Sequence, residues 1–152
     1  MRNVAVVTMN RSTHALHSEH ILYVDDEEAL VRAMPRTLSR IGYRCSAFSD
    51  PRDALEAFRA DPAAFDAVIT DFVMPNITGL QLAHELHSIR PDLPIALLSG
   101  YVKGGEVGFS SHISIRIQKP LRLEELSDTV EKLLGRGSYQ SWVSRNQLGP
   151  DA

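Results

Sequence analysis

Short apolar runs that alternate with helix-period stripes constrain this chain more than any other feature. Ile21-Leu22-Tyr23-Val24, Tyr43 to Phe48, Ala67-Val68-Ile69-Thr70, Ile95-Ala96-Leu97-Leu98 and Ile113 to Ile117 each have the length and β-propensity of a strand. Between them lie stripes with one apolar face. Leu30, Met34, Leu38 and Ile41 form the first, with Gly42 placed as a stop. Ala54, Leu55 and Phe58 form the second, behind Ser49 or Asp50 as cap and Pro51 in the first turn. Leu82, Leu86 and Ile89 form the third, and Leu123, Leu126, Val130 and Leu133 the last. Strands alternating with helices predict βαβ units: an α/β, doubly wound, five-stranded parallel sheet covered on both faces.

Two places strain this reading. Pro35 falls inside the first stripe, where it removes one hydrogen bond or kinks the helix. Lys103-Gly104-Gly105-Glu106-Val107-Gly108 occupies the place of a fourth helix, and each glycine costs about 1 kcal/mol there against alanine. An irregular or mobile fourth helix is expected. Residues 1–18 read as a flexible leader or linker, 19–135 as one domain, and 136–152 as a flexible tail. The tail is too short for a helix-turn-helix, so no DNA-binding output domain is expected after residue 135.

Composition narrows the functional classes. The net charge of −3 gives no basic field for nucleic acid or anionic lipid. One cysteine, Cys45, excludes an internal disulfide and a multi-thiolate metal site, and reads as a small buried hydrophobe. No apolar run reaches the roughly 20 residues of a membrane span, and no signal-peptide core is present. A cytoplasmic protein is expected.

The residues at the carboxyl ends of the strands carry the chemistry. Asp25 and Asp26 come after the first strand, Asp71 after the third, Ser99 and Gly100 after the fourth, and Lys119 and Pro120 after the fifth. In an open parallel sheet, the crevice outside the strands' carboxyl ends binds ligands. Three neighbouring carboxylates repel, and one lysine offsets this only in part. A hard dication with retained waters, Mg²⁺, suits such oxygens. A carboxylate beside Mg²⁺, an ammonium and a hydroxyl can attack a phosphoryl group, with Asp71 on the central strand as nucleophile.

These residues resemble the receiver domain of bacterial two-component response regulators. The resemblance rests on Ile21-Leu22-Tyr23-Val24-Asp25-Asp26-Glu27, Val68-Ile69-Thr70-Asp71-Phe72-Val73-Met74-Pro75, Leu97-Leu98-Ser99-Gly100-Tyr101 and Gln118-Lys119-Pro120-Leu121, and covers residues 19–135. It implies a flavodoxin-like strand order, 2-1-3-4-5. It implies that Asp71 accepts phosphate from a histidine kinase or histidine phosphotransfer protein, in a standalone receiver or one cut from a hybrid kinase. Asp26 would be the direct Mg²⁺ ligand, Asp25 would act through water, and the Val73 carbonyl would add a ligand. Ser99 and Lys119 would engage the phosphoryl group, with a cis bond before Pro120. A homodimer is a further partner compatible with the resemblance, and catalysis is limited to slow self-dephosphorylation.

The chain departs from the pattern at Arg116, where the family often carries an aromatic switch residue; the guanidinium is expected to pair with an acidic partner or phosphate. Val73 and Tyr101 flank the site and are expected to slow hydrolysis. A phosphate-independent pseudo-receiver and a hydrolase of the haloacid dehalogenase type are the alternatives. The first is opposed by the intact Asp25, Asp26, Asp71, Ser99 and Lys119. The second needs an Asp at the position of Val73. His84 and His87 read as a solvated helix face with no third ligand, and His14, His17 and His20 as part of the leader. Tyr139 and Trp142 read as part of an ordinary tail.

Overall fold

The computed structural model describes residues 19–100 and 112–135 of the 152-residue chain. The expectations for the leader, the tail with Tyr139 and Trp142, Tyr101 and the glycine-rich fourth helix lie outside them. Among the described residues nine main elements follow in order: β1 (His20–Val24), α1 (Glu28–Arg40), β2 (Arg44–Phe48), α2 (Pro51–Ala60), β3 (Ala67–Asp71), α3 (Gly79–Ile89), β4 (Ile95–Ser99), β5 (Ile115–Gln118) and α4 (Leu123–Leu133). The strands form one parallel sheet in the order β2-β1-β3-β4-β5, as the resemblance implied.

Alternation along the strands sorts side chains into two separate cores. Leu22, Val24, Val68 and Ile95 pack with Ala54, Leu55 and Phe58 of α2 and Leu82, Ala83 and Leu86 of α3. Ile21, Tyr23, Ile69, Ala96 and Leu98 pack on the other face with Met34 and Leu38 of α1 and Leu126, Val130 and Leu133 of α4. β1 and β3, central in the sheet, are almost wholly buried, whereas the edge strands β2 and β5 are half-buried or exposed.

Local signals act mostly where expected. Asp50 caps α2 by accepting from the Arg52 N–H at 2.9 Å, which decides between the two candidate caps. Gly42 ends the α1 connection with φ 94°, a left-handed conformation suited to glycine. α1 continues through the half-buried Pro35, so the missing N–H does not break it. Leu123 departs from its expected inward place: at the first position of α4 it is 43% exposed. β5 is shorter than its apolar run, because Ile113 packs against the α2–α3 core while Ile115 and Ile117 turn to the other. Cys45 is half-buried on β2, and burial pushes its thiol up to about 12.

Candidate functional site at the carboxyl edge

Register brings the polar strand ends level. Val24 lies beside both Phe48 and Thr70, Asp71 beside Leu98, and Ser99 beside Gln118. The residues just beyond these pairs therefore meet along one edge. Lys119 Nζ spans the middle, 3.0 Å from Asp25 Oδ2 and 3.2 Å from Asp71 Oδ1. The Lys119 N–H also donates to the Ser99 carbonyl at 2.7 Å, tying the fifth strand end to the fourth. The Lys119–Pro120 peptide bond is cis, as the resemblance implied.

The three carboxylates play unequal parts. Asp25 is fully buried and heavily committed: Oδ2 accepts from the Tyr23 hydroxyl at 2.9 Å as well as from Lys119, and Oδ1 accepts from the Glu27 N–H at 3.0 Å. Asp26 is exposed. Asp71 is 6% exposed, and burial together with the negative charge of Asp25 pushes its carboxyl up to about 6, against the pull of Lys119. Burial would lower the Lys119 ammonium, but Asp25 and Asp71 outweigh it and hold the group above its ordinary value. Burial and Asp25 push the Tyr23 hydroxyl far above the ordinary phenol range.

The donor set fits a hard dication. One oxygen each from Asp25, Asp26 and Asp71 can be chosen so that all lie within 4.8 Å of one another. An all-oxygen set of two buried carboxylates and one exposed carboxylate suits Mg²⁺ with retained waters. Val73, whose carbonyl was expected as a further ligand, is 69% exposed two residues after Asp71.

Three supporting features go beyond the sequence expectations. Tyr23 stands two residues before Asp25, so strand alternation aims both to one face. Thr78 and Gln81 form a reciprocal capping box at α3, with Gln81 N–H donating to Thr78 Oγ1 at 3.1 Å and Thr78 N–H to Gln81 Oε1 at 2.9 Å. The cap seats Gly79 directly on the nucleophile's backbone. A Cβ on Gly79 would collide with the Asp71 carbonyl oxygen and stand 2.8 Å from Leu97 Cδ1. The Gly79 N–H donates to the Phe72 carbonyl at 2.8 Å, closing the loop after Asp71.

Arg116 is exposed on β5, opposite Leu97. It lines a shallow pocket of about 190 Å³ with Ser99, Gly100, Ile117 and Gln118. Two histidine expectations are corrected. His20 belongs to β1, where its ring nitrogen bonds Ser46 Oγ at 2.8 Å and its ring lies 4.6 Å from that of Phe65. His84 and His87 do have a third histidine beside them: the chain brings His112 onto α3 across 25 and 28 residues.

The fold and edge together define a flavodoxin-like α/β protein with an acidic cluster at a strand crevice. The chain belongs to the response regulator receiver domain family, whose model matches residues 21–131. It is 36% identical over 118 residues to the response regulator MprA of Mycolicibacterium vanbaalenii, covering 76% of this chain and 50% of that protein. The chain thus spans about half the length of the curated relatives it matches. Among solved structures it is similar to the response regulator TrrA of Thermotoga maritima in complex with Mg²⁺–BeF. That match has 31% identity and a TM-score of 0.68, over 76% of this chain and 99% of that one. TrrA in complex with the histidine kinase ThkA gives the same identity and TM-score over 76% and 98%. Among the described residues no helix is long and apolar enough to cross a membrane.

Proposed function

We propose that Asp71 accepts a phosphoryl group from a phosphohistidine of a histidine kinase or histidine phosphotransfer protein, and that the protein acts as a switch or relay through that modification. The observation that carries this reading is the Lys119 ammonium held between Asp25 and Asp71, within an acidic cluster at the carboxyl edge. The solved complexes of TrrA with Mg²⁺–BeF and with a histidine kinase support the same chemistry for a relative.

Asp26 and Asp71 would hold Mg²⁺ with the Val73 carbonyl. Asp25, already engaged by Tyr23, Glu27 and Lys119, would act through a bound water. When bound, Mg²⁺ neutralises charge on the carboxylates and on the phosphoryl oxygens. A carboxylate oxygen of Asp71 attacks phosphorus, the P–N bond to the donor imidazole breaks, and the imidazole leaves with the bonding pair. Lys119 exchanges its contact with Asp71 Oδ1 for a phosphoryl oxygen, and the Ser99 hydroxyl donates to another. Arg116 lines the shallow pocket together with Ser99, at the position where the family often carries an aromatic residue. Its catalysis is limited to self-phosphorylation from small phosphodonors and slow self-dephosphorylation, the latter slowed by the Val73 side chain shielding the phosphoryl group from water.

Intact mass after incubation with acetyl phosphate tests the reading. One phosphoryl mass should be gained, and the gain should require both Mg²⁺ and Asp71; Asp71→Asn should gain none. No gain from acetyl phosphate and none from a panel of histidine kinases would leave the phosphate-independent alternative. Val73→Asn should shorten the lifetime of the modified form about tenfold, since a polar group there can orient water. Equal decay in the variant and the parent would remove the shielding role.

A further inference from the structure

Strand alternation puts Ile21, Tyr23 and Asp25 on one side of the chain, so the Tyr23 ring lies in the core under α1 and α4 while its hydroxyl reaches the acidic edge. Tyr23 is 1% exposed and Asp25 is fully buried. Three donors hold the Asp25 carboxylate. The Tyr23 hydroxyl and Lys119 Nζ share Oδ2 at 2.9 Å and 3.0 Å, and the Glu27 N–H meets Oδ1 at 3.0 Å. The phenol is fixed by the packed core and the N–H by the backbone, whereas the ammonium rides on a flexible stem that also reaches Asp71 Oδ1 at 3.2 Å. β3 is built differently. Ile69, paired in register with Tyr23, stands two residues before Asp71 and brings no donor with its side chain. One carboxylate is thus pinned from the core by its own strand, and the other is not.

We propose that Tyr23 is a positioning residue for phosphoryl acceptance: its hydroxyl keeps Asp25 in place and hydrogen-bonded while Lys119 moves to the incoming phosphoryl group. This rests on the reading of Asp71 as phosphoacceptor. A group added to Asp71 stands farther out than the carboxylate it is built on, so an ammonium that follows it draws away from Asp25. Without the phenol, Oδ2 of a fully buried carboxylate would then lose its last side-chain donor, a costly state for a buried charge. With the phenol, that oxygen keeps a charge-assisted bond throughout, and Asp25 stays oriented toward the metal-bound water it is proposed to hold. The phenol keeps its proton, and no covalent bond changes at Tyr23. Its part is to make the departure of Lys119 from Asp25 less costly.

Tyr23→Phe removes this one hydroxyl and keeps the ring, so its metal-free circular dichroism should match that of the parent. Calorimetric titration of the full chain with Mg²⁺ alone, and then with beryllofluoride at saturating Mg²⁺, tests the proposal. Beryllofluoride mimics the phosphoryl group and draws Lys119 outward; Mg²⁺ alone leaves the ammonium on Asp25. The variant should bind beryllofluoride at least about fivefold more weakly than the parent, the size of one lost hydrogen bond to a charged group, with its Mg²⁺ affinity within about twofold. Equal beryllofluoride affinity in variant and parent overturns the proposal. Equal losses for both ligands overturn it too, by making the hydroxyl a general support of the acidic cluster. A parent that binds no beryllofluoride and gains no phosphoryl mass is a different failure, that of Asp71 as acceptor, and takes the role of Tyr23 with it.

Discussion

Asp71 is held in a state that burial and Asp25 oppose. Its carboxyl is raised to about 6, whereas in the unfolded chain it ionises near its ordinary 3.8. Above pH 6 the folded protein thus carries a buried charge that the unfolded chain carries in water, which lowers stability. As pH falls through 6, the folded protein takes up a proton that the unfolded chain binds only near 3.8, and stability returns. Metal-free Asp71→Asn should therefore be more stable than the parent at pH 7 by about 1–2 kcal/mol, the amide losing part of the gain with its Lys119 ion pair. The gap should close toward pH 5. Urea midpoints of both proteins at the two pH values measure it, and a gap independent of pH would assign the effect to something other than this carboxyl.

At the scale of the element, the first turn of α3 is the part of the frame on which the nucleophile depends most directly. Alanine is ordinarily the better helix former, yet at position 79 its methyl would press on the Asp71 carbonyl and on Leu97. Gly79→Ala should cost at least about 2 kcal/mol, because β3 or α3 must shift. It should also slow phosphoryl acceptance from acetyl phosphate. A variant with parental stability and rate would show that the helix yields freely. This dependence was not legible in the sequence: Thr78-Gly79-Leu80-Gln81 announces a capping box but not what the glycine faces. The strands and helices were legible because each carried one period along its length. The placement of Leu123 and the start of β5 were not, because tertiary packing at an element's end overrides its stripe. The acidic edge could be read from Asp25, Asp26, Asp71 and Lys119 because parallel topology sends every strand end to the same side. The His84–His87–His112 group could not, since nothing in the spacing brings residue 112 to α3.

For the whole molecule, the sheet divides two cores that share no side chain. Ile69 and Ile95 lie on neighbouring strands but in opposite cores, whereas Ile21 and Ile69 share one. Each isoleucine-to-valine change should cost about 0.5–1.5 kcal/mol. The pair Ile69→Val with Ile95→Val should add to within about 0.3–0.5 kcal/mol, and Ile21→Val with Ile69→Val should deviate by more. Equal non-additivity in both pairs would mean that the sheet transmits strain through its thickness. Among the described residues the strand backbone is common to both, with Asp71 at the end of β3. The proposed modification of Asp71 would place its charge where both cores end, so that both faces of the sheet would feel it.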